Sequence, residues 1–312
     1  MVGIIVSSLP NVSADLALGE LAALSAAFLW ALASAVYSKL GKTLSPLLLN
    51  LSKGIMAVVL LTITLLINAE PIPTIPITSL VELSLSGVIG IGIGDTLYFE
   101  TLQRLGVRLT LLLGVFTPSI TAILALLFLH ESLSAWAWLG MVLTLTGIAW
   151  VIQERNNSGS ASVGRSQTLQ GLILGAIAVL IFAVSALLSR GALATTSVTP
   201  LWAALIRLGA GTLSLIIVVT LRPKVLKQWR QLGQKEVGLP LIGAAFLGTY
   251  LGIWLQQIGF KYAPVGIAQT MLATSPLFIL VLARLAGQKV TVQSWVGSAI
   301  ALAGVSLLLL LR

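Results

Sequence analysis

The chain has 312 residues, 57% of them apolar and 9% charged, with a net charge of +9, one histidine and no cysteine. Soluble domains carry about 25% charged residues, so with a mean hydropathy of +1.05 an aqueous fold is excluded. Missing cysteines exclude disulfides, thiolate metal sites and thiol nucleophiles together. In a membrane protein the surplus positive charge marks cytoplasmic loops, and no compact basic soluble domain is present to carry nucleic acid.

A spanning helix needs about 20 mostly apolar residues, and ten segments supply them. Residues 1–16 lack a basic n-region, which speaks against a cleaved signal peptide. The first segment, 17–38, carries Trp30 and Tyr37. The second, 45–68, carries Lys53, and its run 56–66 does not alternate polar and apolar residues as an outer-membrane strand would. Residues 69–78 (AEPIPTIPIT) hold too many prolines for a helix interior and read as an extended surface loop. The third segment, 79–103, contains Gly90-x-x-x-Gly94, Asp95, Tyr98 and Glu100. The fourth, 107–130, has Pro118 in its middle and ends at His130-Glu131. The fifth is 135–153, followed by a Gly/Ser-rich flexible stretch, 156–166 (NNSGSASVGRS).

The sixth segment is 169–190, and the seventh, 198–221, carries Arg207. In the basic stretch 222–236 (RPKVLKQWRQLGQKE), Val225, Leu226, Trp229 and Leu232 recur at helical spacing. That pattern suits either a short amphipathic helix on the headgroups or an irregular solvated loop. The eighth segment, 237–260, holds Gly248-x-x-x-Gly252, Trp254, Gln256 and Gln257; the ninth, 264–286, holds Gln269 and Pro276; the tenth is 293–311.

The segments fall into two copies of one module. Aligned on Pro46 and Pro200, Lys53 meets Arg207; aligned on Pro118 and Pro276, Gly90 meets Gly248, Gly94 meets Gly252 and Thr117 meets Ser275. One deletion later, Trp138-Leu139-Gly140 falls on Trp295-Val296-Gly297, and Gly147 on Gly304. The repeats are 17–153 and 169–311, joined by the linker 154–168. Five spans per repeat put the second copy into the bilayer upside down, an arrangement secondary transporters use for alternating access.

Charges inside the spans are the leading site candidates, since each is costly unless paired or hydrated. Lys53 lies eight residues after Ser45, and Asp95 eight before Gln103, so both sit about 12 Å below the same face. They are expected to pair, the alternative being a lone Lys53 snorkelling to the interface. Arg207 has Ile253 where Asp95 would stand, leaving it without that partner. It suits a substrate carboxylate or phosphate, or else is a structural arginine satisfied by backbone carbonyls. Trp30, Tyr37, Tyr98, Trp254, Gln256, Gln257 and Gln269 suit a pocket of aromatic walls with a few polar handles, although Trp and Tyr also populate interfaces. Pro118 and Pro276 are expected to kink their helices beside a cavity or gate. Gly90, Gly94, Gly248 and Gly252 are expected at close helix contacts. Glu100 and Arg104 are spaced to pair. Glu131 and His130 read as helix-end residues, with proton coupling left open.

Thirteen basic residues lie in the odd-numbered loops: Lys39, Lys42, Arg104, Arg108, Arg155, Arg165, Arg222, Lys224, Lys227, Arg230, Lys235, Arg284 and Lys289. The even-numbered loops and the termini carry Arg190, Lys261 and Arg312. The positive-inside rule therefore places both termini outside.

The duplicated module, with its basic residue in the second helix, its Thr117-Pro118 and Ser275-Pro276 steps, and His130-Glu131-Ser132-Leu133-Ser134 leading to Gly140 and Gly147, resembles the EamA family of the drug/metabolite transporter superfamily. The resemblance covers nearly the whole chain. It implies ten helices in two inverted repeats, and movement of small metabolites, often outward from the cytoplasm. It also implies cytoplasmic termini, against the loop charges, and a second glutamate where this chain has Lys289.

One histidine and the absence of a Walker-type loop leave little for an enzyme or an ATP-driven pump. The resulting expectation is an all-α transporter in the cell (inner or plasma) membrane, monomeric or homodimeric, without a cofactor. It would export amino acids or related small-molecule metabolites, with proton or ion coupling open. A ligand-binding membrane receptor or scaffold, or a channel, is the alternative.

Overall fold

The computed structural model describes residues 10–154, 165–285, 287 and 290–310. Among the described residues, ten helices are long and apolar enough to cross a membrane: span 1 Ala14–Leu40, span 2 Pro46–Ile67, span 3 Ile77–Leu105, span 4 Leu109–Phe128, span 5 Ala135–Ile152, span 6 Thr168–Ala194, span 7 Pro200–Thr220, span 8 Lys235–Tyr262, span 9 Val265–Leu285 and span 10 Val292–Leu310. All regular structure among the described residues is helical. Side chains such as Leu66, Ile67, Leu127, Phe128 and Leu285 are apolar and exposed, as lipid demands of the outer surface. Residues 1–9, 155–164 and Lys289 lie outside the described residues, and with them most of the expected linker.

Helix starts follow from the sequence. Pro46 and Pro200 open spans 2 and 7 behind Ser45 and Thr199, where a missing N–H costs nothing. Helix breaks follow too. A proline at position i cannot bond the carbonyl of i−4. Helices end at Gly114 and Leu272, four residues before Pro118 and Pro276, and resume at Phe116 and Ser275.

Both repeats also contain a feature that periodicity does not announce: π-helical turns at Gly87–Gly94 in span 3 and Ala245–Leu251 in span 8. The predicted glycine contacts occur there. Gly90 and Gly94 face Ser185 and Phe182 of span 6, while Gly248 and Gly252 face Ala33 and Trp30 of span 1. In the altered ladder some carbonyls accept side chains instead. Asn50 Nδ2 donates to Ile91 O (2.7 Å) and Trp30 Nε1 to Gly248 O (2.8 Å).

Spans 5 and 10 cross antiparallel, Gly140 against Gly304 and Gly147 against Gly297, leaving no room for a Cβ at any of them. The antiparallel pairings of spans 3 with 6 and 8 with 1 repeat this inversion. On the odd-loop side, the connection after span 7 is helical, Pro223–Leu226 followed by a tighter 3₁₀ run at Lys227–Gly233. Of the two readings of that stretch, the short helix is the one observed.

Candidate functional site

Spans 2, 3 and 7 carry the predicted intramembrane charges. Lys53 Nζ lies 2.5 Å from Asp95 Oδ2, with the lysine side chain 7% exposed and the aspartate 22%. The ammonium is thus sealed while the carboxylate keeps an open edge. Lys53 Nζ also stands 5.5 Å from the centre of the Phe99 ring, a cation–π distance. The expected pairing is observed, and Lys53 does not snorkel alone.

Arg207 is buried, and its three nitrogens are held by neutral groups. Nε donates to Ser86 Oγ (2.9 Å), Nη1 to Gln256 Oε1 (3.3 Å) and Nη2 to Ser185 Oγ (3.1 Å). The arginine is therefore held by side chains of spans 3, 6 and 8, rather than by the backbone carbonyls considered from sequence. The ion pairs seen among the described residues, Lys53–Asp95, Arg104–Glu100 and Arg190–Glu131, do not include it. Gly87 makes room for its backbone. Asp95 is within electrostatic reach of Arg207, Tyr37 and Tyr98. Two cations against one carboxylate leave the cluster with one net positive charge.

The aromatic and amide candidates divide. Tyr98 stacks edge-on between Phe99 (5.8 Å) and Phe182 (6.4 Å), and Gln256 reaches Arg207, so both join the charged cluster. Trp30 and Tyr37 use their polar atoms on span 8: Tyr37 Oη donates to Ala244 O (2.9 Å) and lies 2.8 Å from Thr249 Oγ1. Trp254 packs 6.1 Å from Tyr250, in a cluster with Ile91 and Leu208. Gln257 accepts from Ser189 Oγ (2.6 Å), while its buried Nε2 finds no hydrogen-bond partner. Gln269 is buried in span 9. Pro118 and Pro276 mark helix breaks in spans 4 and 9, and Ser275 Oγ donates to Ala27 O of span 1 (2.7 Å).

A cavity of about 340 Å³ lies at the odd-loop face, lined by Tyr37, Lys42, Leu49, Phe99, Leu102 and Gln103 among others. Leu49 and Phe99, which line it, stand one turn nearer that face than Lys53 and Asp95. Gln103 Nε2 bridges its mouth to Gly41 O (3.0 Å).

At the opposite face an ion pair joins the two repeats. His130 adopts a positive φ of 54°, which His tolerates better than most residues, and the turn carries Glu131 across to the second repeat. Arg190 Nε donates to Glu131 Oε1 (2.5 Å), and its Nη1 to the carbonyls of Phe260 (2.8 Å) and Lys261 (2.6 Å). Glu131 Oε2 accepts from Val265 N–H (3.0 Å), satisfying an orphan donor at the start of span 9. Sequence reasoning treated Arg190 as a loop residue, because the sixth segment was ended there; the helix runs on to Ala194. It also passed over Glu20 and Asn50, both fully buried, and the hydroxyls of Ser86 and Ser185. Glu20 and Asn50, as polar side chains inside apolar segments, gave a signal that could have found them.

The profile of the EamA-like transporter family matches residues 17–153 and again 169–310. The chain belongs to the EamA-like transporter family. A solved structure titled "Crystal structure of protein" aligns at a TM-score of 0.76 with 17% identity, covering 94% of this chain and 96% of that chain, a likeness of fold. Comparison with curated proteins gives no match. As an EamA-like transporter the protein is an integral multi-pass membrane protein that moves small solutes, and the resemblance drawn from its motifs holds.

Proposed function

We propose that this EamA-like transporter is a secondary exporter of amino acids or related metabolites, working by alternating access between its inverted repeats. The observation that carries the reading is Arg207, a buried guanidinium held by Ser86, Ser185 and Gln256 with no acid among those partners. A substrate carboxylate offers such a group a charged, bidentate partner that hydroxyls and an amide do not. One-sided access supports alternation: a cavity at the odd-loop face and a closed ion-pair network at the even-loop face.

Flux in proteoliposomes tests this directly. Arg207→Lys keeps the charge but loses the planar fork, and is expected to weaken substrate binding. Arg207→Gln is expected to lose more and to shift preference toward neutral solutes. Unchanged flux and selectivity in Arg207→Gln, at matched levels of folded protein, would make the residue structural.

The loop charges support cytoplasmic odd loops and external termini. Arg190 and Lys261, two of the few basic residues on the even side, are engaged within the fold, Lys261 Nζ donating to Val198 O (2.6 Å). On that orientation the cavity faces the cytoplasm, as a loading state of an exporter would. A chain without cysteine makes the check simple. In intact cells an impermeant thiol reagent is expected to label Thr195→Cys and to spare Gln234→Cys. Labelling of Gln234→Cys alone would invert the assignment.

A further inference from the structure

The stretch 222–236, which runs from the end of span 7 into the first turn of span 8, carries Arg222, Lys224, Lys227, Arg230 and Lys235 against a single acid, Glu236. Its apolar side chains point two ways. Val225 packs inward on Leu51, Leu215 and Val219, and Leu232 on the cluster of Leu40, Leu44 and Val237. Leu226 and Trp229 point outward, 41% and 45% exposed. The run is tied to a third span end: Gln228 Oε1 accepts from the backbone N–H of Ser45 (3.0 Å), the residue that caps span 2. The strap therefore lies at the membrane face where spans 7, 8 and 2 all begin or end.

We infer that residues 222–236 form a binding surface for anionic phospholipid headgroups. Trp and Leu side chains at that level enter the interfacial region, while lysine and arginine meet the negative surface, each worth about a fivefold gain in membrane affinity. Inward anchoring by Val225, Leu232 and Gln228 holds the strap in place, so its charges are presented together rather than on a loose loop. Through Gln228 and Ser45 the lipid contact also bears on the start of span 2, whose Leu49 lines the cavity and whose Lys53 lies a turn deeper. This proposal is independent of the transported solute.

The test uses Leu226→Cys carrying an environment-sensitive fluorophore, reconstituted into phosphatidylcholine vesicles with or without phosphatidylglycerol. Emission is expected to shift blue as phosphatidylglycerol is added, and to return on raising the salt, since exposed charges are screened within about 10 Å at 0.1 M. Adding Lys224→Gln, Lys227→Gln and Arg230→Gln is expected to lower the affinity for the anionic surface about a hundredfold, flattening the response. Equal emission in both lipids, or a response that survives the three glutamines, would overturn the proposal. The flux of the labelled protein is not the readout, so failure here leaves the export reading untouched.

Discussion

Asp95→Ala is expected to be strongly destabilising. It strands the Lys53 ammonium, whose side chain is only 7% exposed, at a cost of about 3–5 kcal/mol. Lys53→Ala should cost less, because the Asp95 side chain is 22% exposed and water can reach the carboxylate left behind. The double alanine variant should recover much of either loss, and the exchange Lys53→Asp with Asp95→Lys should fold better than either half alone. Unfolding in detergent, read as a double-mutant cycle, measures this. If the two single losses simply add, the pair is not coupled.

Glu131→Gln should be nearly as consequential, but for conformation. The substitution keeps the shape and an acceptor for Val265 N–H while removing the charge that faces Arg190. The two side chains are 15% and 16% exposed, so losing the pair should cost about 3 kcal/mol, a change of about a hundredfold in the balance between closed and open states. Ala263, fully buried beside Phe260 and Val265 in the same core cluster, reports that balance as a single cysteine. Its labelling should accelerate strongly in Glu131→Gln and stay slow in the parent. Unchanged labelling would mean that the even-loop face is held by apolar packing, and that the ion pair is incidental to closure.

Much of this molecule was legible because its solvent is hydrocarbon. Apolar runs of spanning length left few choices of element, and Pro46, Pro200, Pro118 and Pro276 act on the backbone through a missing N–H, an effect that needs no knowledge of neighbours. The Lys53–Asp95 pair was legible for a related reason: depth in a helix is arithmetic, and two opposite charges at one depth have few other partners. Arg207 was readable as a charge without an acid, but not its environment. Ser86 and Ser185 are ordinary residues in helical segments, and only the folded arrangement of spans 3 and 6 brings their hydroxyls to the guanidinium. The Arg190–Glu131 pair was missed through a boundary error of one helical turn. The π-helical turns were missed because hydrophobic periodicity reports which face is buried, not which carbonyl each amide chooses.

Those turns carry a mechanical implication. An α-helix advances about 100° per residue, so one extra residue in a turn acts as a twist, dividing spans 3 and 8 into halves set at different azimuths. Returning Gly87–Gly94 to regular α-geometry would rotate Asp95 and Tyr98 about the helix axis with little change in length; the same change at Ala245–Leu251 would swing Trp254 and Gln256. Glycine at Gly87, Gly90, Gly92 and Gly94 leaves the backbone of span 3 without the bulk that would jam such a turn. Each repeat thus contains a screw joint at the point where it contacts the other.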